Sequence, residues 1–272
     1  MADPHPEVPG RRTIDSTLAN ATLTGGGGDK YEPIAFMPDV KVCKIGGQSI
    51  MDRGREALFP ILDELVAVKD THKLLLCTGG GTRARHIYAV ASDLELPTGV
   101  LAALGGYVPR QNARMLQMLL AKHGGLFMLH DDFEKLPLYF RLGCIPIMTG
   151  MPPFGYWEKP AEDGRIPQHR TDAGVFLSAE VLGAKRAIFI KDEDGLFTDD
   201  PKKSPKATHI PRISARELIA RNLDDMILER VVIEYLTRAR HCTELQIVNG
   251  LKRGMVTRAL AGEDVGTIIT RD

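Results

Sequence analysis

Long apolar runs and an excess of charge of one sign are both missing from this sequence of 272 residues. No stretch reaches the roughly 18 apolar residues of a membrane-spanning helix, and the opening MADPHPEVPGRR lacks the apolar segment of a secretory signal. Lys and Arg together number 35, as do Asp and Glu, so the formal net charge is zero. This balance argues against a nucleic-acid protein that depends on a global positive field. We expect a cytoplasmic protein with neither membrane nor nucleic-acid partners.

Cysteine is scarce as well, with four residues at positions 43, 77, 144 and 242. They lie far apart, and the C-x-x-C spacing of zinc and redox motifs does not occur. Cys43, Cys77 and Cys144 fall inside apolar runs. We therefore interpret the cysteines as reduced thiols that pack as small hydrophobic side chains.

Two regions of different composition divide the chain. Residues 1–38 contain several prolines and four consecutive glycines at 25–28, with little periodicity. Such a composition is typical of an extended arm that becomes ordered against a partner, and equally of a disordered tail. Apolar and periodic segments follow one another from residue 39 to residue 272, which indicates one folded domain.

Short apolar runs alternate with segments of helical periodicity from Val40 onward. The runs predict strands at 40–45, 73–78, 100–104, 125–130, 144–149, 185–192, 244–250 and 265–270. The periodic segments predict helices at 58–68, 84–94, 110–122, 173–182, 214–221 and 225–240. Alternating strands and helices predict an α/β protein, a three-layer α/β/α sandwich with a mostly parallel central sheet. Ligands of such a sheet bind beyond the carboxyl ends of its strands.

Three glycine clusters follow predicted strands, namely Gly46-Gly47, Gly79–Gly81 and Gly105-Gly106, and Lys44 comes just before the first. Glycine lets backbone N–H groups approach an anion closely, and a helix N-terminus adds partial positive charge. Lys44 would add an ammonium to the same anion. The clusters therefore indicate a phosphate or other anion site, with tight strand-to-helix turns as the alternative explanation. Neither the P-loop nor the Rossmann glycine pattern occurs.

A second polar constellation runs from Lys191 to Lys202, starting at the end of a predicted strand. Its acidic residues are able to hold Mg²⁺ through oxygen, and Phe197 is able to cover a nucleotide base. A solvated acidic turn is the alternative explanation.

Several segments resemble the amino-acid-kinase fold, in the branch that contains the bacterial uridylate kinases. They are Lys44–Gly47, Gly79–Gly81, Thr171–Ala173, Asp194–Phe197 with Asp200-Pro201, and Gly266–Ile269. The resemblance runs in order over residues 40–272. Further segments resemble the molybdenum storage proteins, a family with this fold: Lys44–Gly54, Thr82–His86, Gly150–Trp157, Ile166–Gly174, Val248–Leu251 and Thr257–Glu263. An insertion at 151–170 and the long N-terminal arm distinguish the chain from a uridylate kinase.

The resemblance implies a subunit that binds MgATP and accumulates molybdate or tungstate as polyoxometalate clusters inside an oligomeric cage. Members of that family pair two related subunits in a hexamer of three α and three β chains, so a related α-type subunit is the expected partner, or else further copies of this chain. The chain looks more like the β type, because only His130 remains of the ligands expected in the α type.

Two other functions stay open at this point. One is a UMP kinase, in which Gly79–Gly81, Arg83 and Asp172 would hold the acceptor nucleotide. The other is a subunit that binds ATP without hydrolysing it and mainly completes the cage of its partner.

The same resemblance assigns expected roles to single residues. Lys44 and Asp172 are expected to be catalytic. The residues expected to bind the nucleotide are Lys44, Gly46, Gly47, Gln48, Gly79, Gly80, Gly81, Arg83, Lys191, Asp192, Glu193, Gly195, Phe197, Asp200, Pro201 and Lys202.

Metal and oxoanion ligands are expected at a few further positions. Glu193 is a candidate Mg²⁺ ligand, with a surface carboxylate as the alternative. His130 and His169 are candidate oxometalate ligands, with ordinary hydrogen-bonded or solvated histidines as the alternative. Arg85 and His86 would attract oxoanions together with Arg83, unless these three form salt bridges on a helix. Trp157 would anchor a partner interface or simply pack.

Overall fold

One eight-stranded sheet dominates the computed structural model, which describes residues 33–161, 164–223 and 226–272. Its strands are β1 (Val40–Ile45), β2 (Lys73–Thr78), β3 (Gly125–Phe127), β4 (Ile145–Thr149), β5 (Arg186–Lys191), β8 (Arg212–Ser214), β9 (Glu244–Asn249) and β10 (Thr267–Thr270). A separate antiparallel pair consists of β6 (Leu196–Phe197) and β7 (His209–Ile210). The order across the main sheet is β3-β4-β2-β1-β5-β9-β10-β8. Its strands run parallel except for the antiparallel pair β9 and β10, which confirms the predicted, mostly parallel sheet.

Helices cover both faces of this sheet. They are α1 (Arg55–Val68), α2 (Gly81–Asp93), α3 (Thr98–Leu119), α4 (Leu136–Arg141), α5 (Thr171–Leu182), α6 (Ala215–Arg221), α7 (Arg230–Leu236) and α8 (Met255–Leu260). Short 3₁₀ turns include Met51–Arg53 and Gly155–Trp157. No helix within the described ranges is both long enough and apolar enough to cross a membrane.

Successive strand residues enter two separate hydrophobic layers, because side chains of a strand alternate between the faces of a sheet. Val42 and Leu75 pack with α5, α6 and α7 in one layer. Their sequence neighbours Cys43 and Leu76 pack with α1, α3 and α8 in the other. Burial on both faces explains why the central strands are continuous apolar runs rather than alternating ones. The three-layer α/β/α architecture is thereby confirmed.

The predicted strand at 100–104 is wrong, since these residues belong to the helix α3. A short apolar run fits a buried strand and a buried helix equally well, and this one continues into the periodic segment that follows. Gly105-Gly106 therefore lies within a helix and not at a strand end. Gly105 is buried against the ring of Tyr88, where a Cβ would overlap the aromatic carbons, so this glycine serves the packing of α3 on α2.

Other predicted boundaries shift by a few residues. The strand predicted to reach residue 130 ends at Phe127, and the helix predicted at 225–240 occupies only Arg230–Leu236. Residues 35–272 form one compact unit. Most of the predicted arm, residues 1–32, lies outside the described residues. The four cysteines carry free thiols. Cys43, Cys77 and Cys242 are buried, whereas Cys144 is only partly buried and lies just before β4, not inside the strand as predicted. Burial raises the pKa of Cys43 to about 12.

Candidate functional site

A cleft of about 560 Å³ opens where β1, β2 and β5 end at their carboxyl termini. This volume lies within the range of small-molecule sites. The sequence-predicted residues that line the cleft are Lys44, Gly47, Gln48, Gly79, Gly80, Gly81, Asp172, Lys191, Asp192, Glu193, Gly195, Phe197, Asp200, Pro201 and Lys202. Arg85 lines it too. Residues more than a hundred positions apart in the chain thus meet at the edge of the sheet where ligands were expected.

The glycine loops after β1 and β2 touch each other at this edge. A Cβ on Gly47 would lie 2.7 Å from Cα of Gly81, and a Cβ on Gly79 would lie 2.6 Å from the nitrogen of Gly47. Only glycine permits this approach of backbone to backbone. The N–H groups of Gly46 and Gly79 donate to carbonyl oxygens of Ile190 and Ile45, each at 3.0 Å. Those two amides are therefore engaged in the sheet, and the predicted phosphate-binding amides reduce to those of Gly47, Gly80 and Gly81.

A buried ion pair between Lys44 and Asp172 lies at the bottom of the cleft. Both residues are only 4% exposed. The ammonium of Lys191 lies 3.5 Å from Oδ1 of Asp172. Burial alone would raise the pKa of Asp172, but the neighbouring ammonium groups of Lys191 and Lys44 outweigh it and hold the pKa at about 2. Burial lowers the pKa of Lys191. The carboxylate of Asp172 thus lies between two cations at the bottom of the cleft.

Glu229, just before α7, was not predicted and also lines the cleft. Its carboxylate accepts hydrogen bonds from the backbone N–H groups of Arg170 at 3.0 Å, Asp172 at 2.9 Å and Ala173 at 3.0 Å. Burial and the nearby carboxylate of Asp172 raise the pKa of Glu229. A single acidic residue before a helix carries no distinguishing sequence signal, which is why the sequence does not reveal it.

Ion pairs also cross the mouth of the cleft. Asp192 pairs with Arg53 at 2.6 Å and with Lys202 at 3.2 Å, and Lys202 pairs with Glu193 at 2.6 Å. Arg53 and Lys202 are about half exposed, so solvent screens these pairs and an incoming ligand replaces them at little cost. Arg53 is a second cleft residue that sequence reasoning missed, because nothing in its local pattern marks it.

Arg83 and His86 lie outside the cleft, in contrast to Arg85. Both line a shallow, mostly apolar groove of about 450 Å³ between α2 and α3. The guanidinium of Arg83 donates to the amide oxygen of Asn112, whose own amide donates to the carbonyl oxygen of Gly79 at 2.6 Å. Arg83 therefore stabilises the glycine loop after β2 through Asn112, from outside the cleft.

The two histidines predicted as oxometalate ligands are separate from each other and from Glu193. A ring nitrogen of His130 lies 2.8 Å from the carbonyl oxygen of Met151, and burial lowers the pKa of this imidazole. His169 is buried, with one ring nitrogen 2.6 Å from Glu158 and the other bonded to Tyr235. No cluster of three or more His, Cys, Asp or Glu in the described part of the chain is arranged to hold a metal ion.

The insertion at 151–170 packs on α3 and exposes two aromatic side chains. The backbone of Tyr156 approaches Gly99 so closely that a Cβ there would overlap its carbonyl group. Tyr156 and Trp157 are 61% and 86% exposed. The ring of Trp157 contacts that of Tyr156 edge-on, with 6.4 Å between the centroids, and is otherwise exposed. The interface anchor stays a prediction.

Comparison with known proteins defines the class of this chain. The model of the amino acid kinase family matches residues 39–249, and the chain belongs to this family. Uridylate kinase from Archaeoglobus fulgidus superposes with a TM-score of 0.64 at 22% identity, covering 85% of this chain and 100% of that one. UMP kinase from Bacillus anthracis superposes with a TM-score of 0.66 at 18% identity, covering 86% and 96%. At these identities the two structures establish the fold alone.

Comparison of sequences identifies more specific relatives than comparison of structures does. The chain is 54% identical over 235 residues to molybdenum storage protein subunit beta from Azotobacter vinelandii (strain DJ / ATCC BAA-1303), covering 86% of this chain and 87% of that protein. It is 35% identical over 156 residues to uridylate kinase from Pyrococcus abyssi (strain GE5 / Orsay), covering 57% of this chain and 63% of that enzyme. The sequence-based expectation of a β-type relative of the molybdenum storage proteins is thereby confirmed.

Proposed function

We propose that this chain is a subunit of a molybdenum and tungsten storage protein. It binds MgATP in the cleft and accumulates molybdate or tungstate as polyoxometalate clusters inside an oligomeric cage. The observation that carries the proposal is the 54% identity to a molybdenum storage protein subunit, sustained over 86% of the chain. The weaker similarity to uridylate kinases favours a shared nucleotide-binding fold more than a shared reaction.

The composition of the cleft supports ATP as the nucleotide. Lys44 and Lys191 supply two ammonium groups at its bottom, and the amides of Gly47, Gly80 and Gly81 border the same space. Cations and glycine-loop amides are the usual partners of phosphate oxygens in proteins. The cleft is also lined by Phe197 and the apolar residues 226–228, which are suitable contacts for a base.

The carboxylates present fit a magnesium ion bound together with phosphates. Mg²⁺ in such sites takes one or two protein carboxylates and completes its shell with phosphate oxygens and water. Glu193 is the candidate ligand, and Asp172 lines the same cleft. Bound there, the ion would neutralise charge on the phosphate chain. Lys44 and Lys191 would orient the terminal phosphate, with Asp172 holding the two ammonium groups in place.

The proposed assembly and the proposed oxoanion ligands rest on the same relative, the molybdenum storage protein subunit. The name subunit beta implies that the relative assembles with a second, different subunit. We propose that this chain likewise pairs with a related α-type subunit, and that the two form a hexamer in the cytoplasm. The exposed Trp157 supports a contact with another chain. Oxoanion ligands at His130, His169 or the cleft arginines remain part of the proposal.

Metal analysis combined with an enzyme assay tests the function. The protein is purified from cells grown with and without added molybdate, its molybdenum is measured by mass spectrometry, and UMP-dependent ADP formation is followed in parallel. Storage predicts many molybdenum atoms per chain after growth with molybdate, and no phosphorylation of UMP. Rapid UDP formation with no bound metal would refute the proposal in favour of a UMP kinase. Metal retention without any ATP hydrolysis by this chain would favour the subunit that only completes a cage.

A further inference from the structure

Glu229 is hydrogen-bonded to the start of the helix that carries Asp172. It is 8% exposed, and its two carboxylate oxygens together accept three backbone N–H groups at the start of α5. These donors need an external acceptor because the first N–H groups of a helix have no partner within it. The residue that precedes α5, Arg170, provides no side-chain cap. Glu229 therefore caps α5 from a different segment of the chain.

Asp172 and Glu229 are joined by two reciprocal hydrogen bonds, in which the carboxylate of each accepts from the backbone N–H of the other. The backbone N–H of Glu229 donates to Oδ2 of Asp172 at 3.2 Å, while the N–H of Asp172 donates to Oε1 of Glu229 at 2.9 Å. With Oδ2 held in this way, Oδ1 faces Lys44 and Lys191. The pair of reciprocal bonds fixes the orientation of the Asp172 carboxylate, and through it the two ammonium groups at the bottom of the cleft.

The segment that carries Glu229 is also a wall of the cleft. Ile227 and Leu228, directly before it, line the same space as Phe197. A nucleotide that contacts Ile227 or Leu228 would therefore touch the segment whose next residue is hydrogen-bonded to Asp172.

We propose that Glu229 is a positioning residue, which holds Asp172 in register with Lys44 and Lys191 for the phosphate chemistry of the cleft. This inference rests on the proposed ATP-dependent function. Because the Glu229 carboxylate is engaged by the start of α5, we expect it to act on the phosphates through Asp172, so its loss should impair turnover more than nucleotide binding. Misplacement of one charged group in a preorganised site costs about tenfold or more in rate.

The chain contains a matched control at the opposite end of α5. The carboxylate of Glu180 likewise accepts three backbone N–H groups, from Arg240 at 2.7 Å, His241 at 3.0 Å and Cys242 at 2.7 Å. Glu180 does not line the cleft. Glu180→Gln and Glu229→Gln therefore alter the same type of contact, but only Glu229 is hydrogen-bonded to Asp172.

The first experiment needs no activity. Denaturant midpoints of the full-length protein are measured for Glu229→Gln, Asp172→Asn, Glu180→Gln and the double variants with Asp172→Asn. If Glu229 acts through Asp172, the double variant of this pair unfolds near the midpoint of its weaker single variant, whereas the effects of Glu180→Gln and Asp172→Asn add. Additive effects for the Glu229 and Asp172 pair would overturn the proposed link.

The second experiment separates positioning from stability. Steady-state ATP hydrolysis should show a kcat at least about tenfold lower in Glu229→Gln, with KM for ATP within about threefold of the wild type. Glu180→Gln should keep both constants despite its loss of stability. Equal kcat values for wild type and Glu229→Gln, or a change in KM alone, would contradict the inference. A wild type that does not hydrolyse ATP refutes the proposed function and the catalytic part of this inference, while the midpoints still decide whether Glu229 holds Asp172.

Discussion

Replacing Gly47 by alanine should destabilise the protein and weaken nucleotide binding together. A Cβ at this position would lie 2.7 Å from Cα of Gly81 and 2.9 Å from the carbonyl carbon of Gly79. Both neighbours are backbone atoms, so no side-chain rotation relieves the overlap. The two glycine loops must move apart, and the amides of Gly80 and Gly81 move with the second loop.

The expected size of the effect follows from these contacts. Forcing an additional carbon into a packed site costs about 1–3 kcal/mol in the free energy of unfolding. Gly47 is buried and its neighbours belong to two loops anchored by sheet hydrogen bonds, so we expect the upper part of this range. A nucleotide that uses the displaced amides should bind at least about tenfold more weakly, which corresponds to about 1.4 kcal/mol of binding free energy.

Gly106→Ala provides the matched control. Gly106 lies inside α3, and a Cβ there meets nothing nearer than the side chain of Met151 at 3.8 Å. Alanine in place of glycine within a helix gains about 0.5–1 kcal/mol, so this variant should be slightly more stable than the wild type, with unchanged nucleotide affinity. Urea unfolding and calorimetric titration with MgATP measure both quantities. A Gly47→Ala protein as stable as the wild type, or equal losses in both variants, would refute the proposed contact between the loops.

Three further predictions concern charge and assembly. Lys44→Ala should abolish ATP-dependent molybdenum loading, measured as metal atoms per chain, whereas Lys41→Ala on the same strand should load normally; normal loading by the Lys44 variant would remove that lysine from the phosphate site. Because the pKa of Asp172 is held near 2, below its ordinary value of 3.8, its ionised form stabilises the fold above about pH 4. The difference in unfolding free energy between wild type and Asp172→Asn should shrink as the pH falls from about 4 towards 2, and a difference that stays constant would contradict the ion pair. Trp157→Ser should leave the fold intact, because the side chain is 86% exposed, and should lower the mass of the assembly in native mass spectrometry; an unaltered assembly would exclude Trp157 from the interface.

The sheet could be predicted from the sequence because its central strands are buried on both faces. Runs such as Val40–Ile45 and Lys73–Thr78 leave few alternatives to a central strand, and the glycine clusters after them mark the ends where the cleft opens. The run at 100–104 misled because an apolar segment next to a helical pattern fits either structure. In the fold this segment is part of a helix that packs through Gly105 on Tyr88, a contact that local sequence does not encode.

The site could be predicted only in part. Lys44 stands out by its place between a strand and two glycines, but its pairing with Asp172 joins positions 128 residues apart. The roles of Glu229 and Arg53 depend wholly on which segments the fold brings beside them. The amides of Gly46 and Gly79 are a similar case. The sequence predicts that they bind phosphate, but in the fold they donate hydrogen bonds to carbonyl oxygens of the sheet.

The ion pairs at the bottom of the cleft bear on how quickly an anion is captured. Lys44 and Lys191 face the carboxyl groups of Asp172 and Glu229, so opposite charges there largely cancel before any ligand arrives. Such a cleft projects little field beyond the Debye length of about 8 Å at physiological ionic strength. Anions reach it by unassisted diffusion, and their association rate should vary little with added salt. Selection then depends on contacts made inside the cleft, where an oxygen of the ligand meets the two ammonium groups that Asp172 holds in place.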